Sequence, residues 1–167
     1  MTLEIVPVEK AHLKAIMAID EQVYPTPWSR RLWQQELERD ERIYRCAVRD
    51  GVVVGVIGVL LAADDAHIMT VAVDPAVQRS GVATALMLAA AQQSIAAGAR
   101  ALTLEVRAGN RGAQALYRRF GLAPVAHRRG YYEPDGEDAL IMWAHDIDGP
   151  EYGDRLQAIA ADLAVAA

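Results

Sequence analysis

The chain has 167 residues, one cysteine and a formal net charge of −5, and it is long enough to fold as one domain without disulfides or metals. A hydrophobic content of 53% and a charged content of 23% exclude a disordered polypeptide. The acidic balance argues against a nucleic-acid partner or an anionic membrane surface. The most apolar stretch, Val52–Ala63, is too short to span a bilayer. No signal peptide is recognisable, so we expect a cytoplasmic protein.

The first half of the chain predicts one strand, two helices and three further strands. Leu3–Val8 alternates as a strand, and apolar residues at helical spacing predict a helix over about Lys10–Gln22. Ser29 is a good N-cap for a second helix, Arg30–Arg39. Three strands with tight turns at Asp50-Gly51 and Asp64-Asp65 follow, at Ile43–Arg49, Val52–Leu61 and His67–Val73.

The second half predicts two helices that alternate with strands. The elements are a helix over Val82–Ala97, a strand over Ala101–Arg107, a helix from Asn110 to Phe120, and strands at Leu122–Arg128 and Ala139–Asp146. A strand, a crossover helix and a strand imply a parallel pair within an antiparallel sheet. We therefore predict an α+β fold with a mixed, mostly antiparallel sheet, one central parallel pair and flanking helices. We expect residues 1–148 to form one domain, and residues 149–167 to form a short helix or a flexible tail.

A glycine-containing loop, Gln78–Thr84, comes directly after a strand and opens a helix. The first N–H groups of a helix lack internal partners, so a phosphate can bind there. Small residues at Gly81 and Ala83 allow the backbone to approach an anion closely, and Arg79 can add charge. Taken alone, an ordinary helix start explains the loop as well.

Three polar residues follow on the next strand and helix. Glu105 lies in an apolar strand, where burial raises a carboxyl pKa toward the range of a general base; the alternative is an outward-facing residue paired with Arg107. Tyr117 can deliver a proton from its hydroxyl or simply pack in the core. Asn110 can contact a ligand or act only as a helix N-cap.

The order of these features resembles the GNAT family of N-acetyltransferases over about residues 3–146. Val73-Asp74-Pro75 followed by Gln78-Arg79-Ser80-Gly81-Val82-Ala83 is similar to the acetyl-CoA motif of that family. A narrower resemblance is to the branch of ribosomal-protein-alanine N-acetyltransferases, which acetylate the α-amino group of ribosomal protein S18. It rests on Pro27-Trp28-Ser29, Leu104–Asn110, Ala115-Leu116-Tyr117, Arg128–Tyr132 and Gly136–Met142.

The resemblance implies direct transfer from acetyl-CoA to an amine, with Glu105 as the base and Tyr117 as the acid. No metal is expected, because the sequence has no CxxC pair and no His/Cys cluster with zinc-like spacing. Implied contacts to acetyl-CoA come from the backbone of Val71, Ala72 and Val73, from Asn110, and from Arg79, Ser80, Gly81, Val82, Ala83 and Thr84. Trp28, Tyr131 and Tyr132 are candidate walls of the site for a protein N-terminal peptide such as that of S18, or they are packing aromatics.

Two alternatives remain open at this point, and the oligomeric state is not predicted. The acceptor can be another amine, such as a lysine side chain or a small molecule. The chain can also be a non-catalytic acetyl-CoA-binding module, although the presence of both Glu105 and Tyr117 argues against that.

Overall fold

The structure, a computed structural model, describes residues 2–166. These residues form one seven-stranded sheet with the strand order β1-β2-β3-β4-β5-β7-β6. In chain order the elements are β1 (Leu3–Pro7), α1 (Leu13–Val23), α2 (Arg30–Leu37), β2 (Arg42–Arg49), β3 (Val52–Ala62), β4 (Asp65–Val73), α3 (Val82–Ala96), β5 (Ala101–Arg107), α4 (Arg111–Arg119), β6 (Ala123–Arg128), β7 (Ala139–His145) and α5 (Pro150–Ala166).

The mixed sheet confirms the predicted fold class. β4 and β5 are parallel, and the other neighbouring strands within residues 2–166 are antiparallel. Several element bounds differ from the prediction by one to three residues, and two of these differences have a visible cause. α1 begins at Leu13, because a 3-10 turn over Lys10–His12 precedes it. Asp65 belongs to β4, because the positive φ of 52° at Ala63 turns the chain one residue earlier than expected.

Helices cover both faces of the sheet and create two apolar cores. α1 and α2 cover one face, where Leu13, Ile16 and Trp33 are fully buried. α3, α4 and α5 cover the other face, where Leu86 and Phe120 are fully buried. A sheet covered on both faces explains why β3 is apolar along almost its whole length.

The C-terminal segment forms α5 and packs on the second core through Tyr152, Leu156 and Ile159. The Tyr152 hydroxyl donates to the Phe120 carbonyl at 2.7 Å, at the end of α4. Arg119 pairs with Asp162 at 3.0 Å. α5 therefore ties the end of α4 to the body of the fold, and the proposed division of the chain at residue 148 remains a prediction. Among residues 2–166, every helix is too short or too polar to span a bilayer.

Candidate active site

A cleft opens in the middle of the sheet, where the two parallel strands separate. β4 and β5 pair only from Asp65–His67 to Ala101–Thr103, and beyond that point they diverge. The gap has a volume of about 360 Å³. Its lining includes Met69, Thr70 and Val71 of β4 and Glu105 of β5, together with Tyr24, Tyr117 and Tyr132.

A bulge in β4 accounts for the separation of the strands. Gly58 is opposite Thr70 whereas Val59 is opposite Ile68, so Met69 is an extra residue with no partner on β3. Such a bulge bends its strand and increases the local twist. Gly58 is required beside it, because a Cβ there would lie 2.3 Å from the Tyr44 ring.

Glu105 reaches the cleft from β5 and contacts a histidine of β4. Its Oε2 lies 2.5 Å from Nε2 of His67, and both side chains are about one-quarter to one-third exposed. The hydrogen bond with His67 lowers the pKa of Glu105, and burial opposes that shift. The raised pKa expected for Glu105 in an apolar strand is therefore wrong, because the hydrogen bond from a residue on the neighbouring strand outweighs desolvation.

Arg107 does not pair with Glu105, so the alternative in which the two residues pair on an outward face of the strand is wrong. Its guanidinium instead donates to Asp135 at 2.9 Å and to Glu137 at 3.1 Å. It also lies 4.3 Å from the ring centroid of Tyr132. Arg107 thus fastens the β6–β7 loop to the end of β5 and holds Tyr132 over the cleft.

Two tyrosines enter the cleft with different hydrogen bonding. The Tyr24 hydroxyl donates to the Val71 carbonyl at 2.8 Å and lies 2.8 Å from the Thr70 hydroxyl. The Tyr117 ring, 9% exposed, packs in the core and borders the cleft, and its hydroxyl has no hydrogen-bond partner among residues 2–166. Burial raises the pKa of Tyr117, so its proton is present at neutral pH and uncommitted. Sequence reasoning missed Tyr24, because its partners lie more than 40 positions away.

The edge of β4 beyond the bulge presents backbone groups to the cleft at alternate residues. The bond from Tyr24 to the Val71 carbonyl shows that Val71 faces away from β3. Antiparallel strands alternate in this respect, so Val73 also faces the gap, whereas Ala72, opposite Val56, faces β3. The backbone groups of Val71 and Val73 are therefore free to bind a molecule in the gap, as predicted for them. Those of Ala72 point to β3, and its side chain is buried, so the geometry argues against the predicted contact of Ala72.

The predicted phosphate loop forms a second concavity, of about 190 Å³, at the start of α3. Gly81 is the N-cap of α3 with a φ of 84°, a conformation that favours glycine. The lining includes five of the predicted residues, Arg79, Gly81, Val82, Ala83 and Thr84, as well as Val73. Val73 lines the concavity and Val71 lines the cleft. Because both lie on the same edge of β4, the loop and the cleft form one continuous path along that edge.

Ser80 does not line this concavity. Its hydroxyl donates to the Val77 carbonyl and accepts from Arg49 at 3.3 Å, so it supports the loop from outside. Arg49 brings a second guanidinium beside the loop, and its position at the end of β2 gave no such signal in the sequence.

Asn110 combines the two roles that the sequence left open. Its Oδ1 accepts from the N–H of Ala113 at 3.1 Å and caps α4, and the residue also borders the cleft. The side-chain amide NH₂ is the group that remains to donate to a ligand.

The three predicted wall residues separate in the structure. Trp28 packs against Trp33 with ring centroids 4.9 Å apart and lines a side chamber of about 200 Å³. Tyr132 lines the main cleft. Tyr131 is 43% exposed and lies edge-on to Tyr132, with ring centroids 5.1 Å apart, so it supports Tyr132 and does not border the cleft.

The two parallel strands separate around a carboxylate and a phenol, and a helix N-terminus lies at one end of the gap. This arrangement is the one expected of a transferase that uses a phosphate-bearing donor. The family model described as "Acetyltransferase (GNAT) family" matches residues 13–122, and the chain belongs to that family. The chain is thus an N-acetyltransferase, and the family predicted from its motifs is confirmed.

Individual relatives share a narrower name. A ribosomal protein bS18-alanine N-acetyltransferase of Escherichia coli is 33% identical over 137 residues, covering 80% of this chain and 91% of the relative. A Bacillus subtilis protein, whose name assigns the same activity provisionally, is 35% identical over 129 residues, covering 77% of this chain and 85% of the relative.

Solved structures share the fold. The ribosomal-protein-S18-alanine N-acetyltransferase of Escherichia coli superposes with a TM-score of 0.79 at 30% identity, covering 87% of this chain and 94% of that one. NAA60 of Arabidopsis thaliana, solved with acetyl-CoA, gives a TM-score of 0.78 at 20% identity, covering 89% of this chain and all of that one.

Proposed function

We propose that this enzyme transfers an acetyl group from acetyl-CoA directly to the α-amino group of a protein N-terminus, the alanine of ribosomal protein bS18 being the favoured acceptor. The observation that carries the proposal is the path from the α3 N-terminus, along the open edge of β4, to a gap bordered by Glu105 and Tyr117. The names of the relatives support the choice of acceptor.

The residues of the path fit the donor acetyl-CoA. The N-terminus of α3 favours a pyrophosphate, since its N–H groups are unpaired and its dipole is positive there. Arg79 and Thr84 line the same concavity and can add charge and a hydroxyl donor. The backbone of Val71 and Val73 offers strand-like hydrogen bonds to the amides of an extended arm. Acetyl-CoA supplies the acetyl group as a thioester at the end of that arm.

Glu105 acts as the proton acceptor for the amine. An ammonium has no lone pair, so it must lose a proton before it attacks. His67 keeps Glu105 ionised at neutral pH and orients its Oε2, which leaves Oε1 for the amine or for an intervening water. Its lowered pKa makes it a weaker base than expected, so proton relay through water to solvent suits it better than long retention of the proton.

Tyr117 acts as the proton donor to the leaving sulfur. The new N–C bond forms as the C–S bond breaks, and the sulfur takes up a proton. The Tyr117 hydroxyl has its proton at neutral pH and makes no competing hydrogen bond with residues 2–166, whereas the Tyr24 proton is held by Val71. Tyr24 therefore orders the strand edge, and Tyr117 serves the sulfur.

The proposed acceptor can be tested with a panel of peptides and a thiol-release assay. Peptides with a free N-terminal alanine should be acetylated, and the same sequences with a blocked N-terminus and an internal lysine should not. Acetylation of the lysine peptides at an equal rate would favour a lysine acetyltransferase. Rapid acetylation of polyamines alone would favour a small-molecule acceptor.

A further inference from the structure

Asp20, on the buried side of α1, is a carboxylate that neither the core nor the proposed chemistry accounts for. It is 3% exposed. Its Oδ2 accepts from Nε1 of Trp33 at 3.1 Å, whereas its Oδ1 has no hydrogen-bond partner among residues 2–166. Buried carboxylate oxygens are ordinarily satisfied, so a lone oxygen marks a place where a donor is missing.

Asp20 borders an open chamber from which such a donor can approach. Asp20 lines the side chamber of about 200 Å³, together with Trp28 and Thr26 of the α1–α2 connection. The chamber shares Tyr24, Met69 and Thr70 with the main cleft. Asp20 therefore lies beside the bulge of β4, on the α1–α2 side of the gap.

The charge of Asp20 is also uncompensated. No Lys, Arg or His within residues 2–166 pairs with it, and burial raises its pKa to about 6 while the Trp33 hydrogen bond opposes that shift. A cation or a polarised N–H group that enters the chamber would stabilise the carboxylate. The acceptor of an N-acetyltransferase carries such a group, since a peptide α-amine is protonated near neutral pH.

We infer that Asp20 is an acceptor-binding residue, whose carboxylate receives the α-ammonium group of the incoming peptide in the side chamber beside Met69. The inference rests on the proposed peptide acceptor. It makes the chamber the entrance for the amine and gives the enzyme a preference for charged N-termini that is independent of the following side chains.

The competing explanation is that Asp20 has a purely structural role as the hydrogen-bond acceptor of Trp33. A variant of Trp33 distinguishes this explanation from a role in acceptor binding. If Asp20 served only to hold Trp33, then Trp33→Phe, which removes the same hydrogen bond, would reproduce every effect of changing Asp20. Asp20→Asn keeps an oxygen to accept from Trp33 and removes the charge. Asp20→Ser is a second variant that also removes the charge, in case the first does not fold.

The experiment measures kcat and KM for acetyl-CoA and for peptides that begin with alanine and differ in the second residue, in the full chain. Asp20→Asn should lower kcat/KM for every such peptide by about ten- to a hundredfold, the range of a hydrogen bond to a charged group. The KM for acetyl-CoA should change less than twofold, and Trp33→Phe should leave the peptide KM near that of the wild type.

A competitive inhibitor provides a further readout that a structural role would not affect. The wild type should bind an alanyl peptide about tenfold or more tightly than the same peptide with propionyl in place of alanyl, and Asp20→Asn should bind both equally. An unchanged peptide KM in both Asp20 variants overturns the inference, as does a loss confined to peptides with a basic second residue. If the wild type acetylates none of these peptides, the proposed function fails and this inference falls with it.

Discussion

Tyr117 and Tyr24 form a matched pair that separates proton donation from structural support. Both rings border the cleft, but among residues 2–166 the Tyr24 hydroxyl has hydrogen-bond partners and the Tyr117 hydroxyl has none. Tyr24→Phe removes contacts to Thr70 and Val71, and the expected cost is about 1–2 kcal/mol. For a domain of this size, that corresponds to a fall in Tm of roughly 2–8 °C.

Tyr117→Phe should have the opposite balance of effects. It removes a hydroxyl that borders the cleft and has no partner among residues 2–166, so the free energy of unfolding should stay within about 1 kcal/mol of the wild type. Turnover should fall by about 10²–10⁴, the usual contribution of a positioned acid, and by more than in Tyr24→Phe. Thermal denaturation and steady-state release of CoA measure the two quantities. Wild-type turnover in Tyr117→Phe would refute the assignment, and so would a loss of turnover matched by a fall in Tm as large as that of Tyr24→Phe.

Four further outcomes are expected. Glu105→Gln should lower kcat by about 10²–10⁴ and leave acetyl-CoA affinity unchanged by calorimetry; unchanged turnover would remove Glu105 as the base. Gly81→Val forces a side chain into the left-handed region, at roughly 1–2 kcal/mol, and should weaken acetyl-CoA binding about five- to thirtyfold; wild-type affinity would contradict the phosphate-loop assignment. Leu156→Ala should cost about 2–5 kcal/mol in thermal or urea unfolding, whereas Val165→Ala, 88% exposed, should cost almost nothing; equal stabilities would contradict the packing of α5. Asp20 has a pKa raised from 3.8 to about 6, so the stability that its proton provides is lost as pH rises through about 6. Between pH 4 and 7 the free energy of unfolding of the wild type should therefore fall by roughly 3 kcal/mol relative to that of Asp20→Asn. A difference between the two proteins that does not change with pH in urea unfolding would contradict this.

The regular elements could be predicted because their signals are local. The Asp50-Gly51 turn has positive φ angles at both residues, as a two-residue hairpin requires. The crossover through α3 predicted the parallel pair, since a parallel connection needs a helix-length excursion. The glycine turn that opens α3 was predictable for the same reason, because its glycine, strand and helix are adjacent in sequence. The phosphate-binding role of this loop remains a prediction.

The electrostatics of the site depend on contacts that local patterns do not record. Glu105 pairs with His67, which lies 38 positions earlier in the chain. The contact exists because β4 and β5 are neighbouring strands where His67 lies. Nothing within the β5 sequence indicates this histidine, and so the direction of the pKa shift was predicted wrongly.

The shape of the cleft likewise follows from a register that the sequence does not display. Met69 looks like an ordinary strand residue, and its bulge appears only when β4 is aligned with β3. Asp20 is a second example. Its sequence context is that of a polar residue on the exposed side of an amphipathic helix, but the structure buries it against Trp33. The role of such residues emerges from packing between distant segments.

The central claim is acetylation of an α-amine, and mapping the acetylated nitrogen tests it most directly. Purified ribosomal protein bS18 with a free N-terminal alanine is incubated with this enzyme and acetyl-CoA, and the product is analysed by tandem mass spectrometry. The account predicts one acetyl group on the α-nitrogen of the alanine, formed by the wild type and much more slowly by Glu105→Gln. Acetyl groups on lysine side chains with an unmodified N-terminus would contradict it.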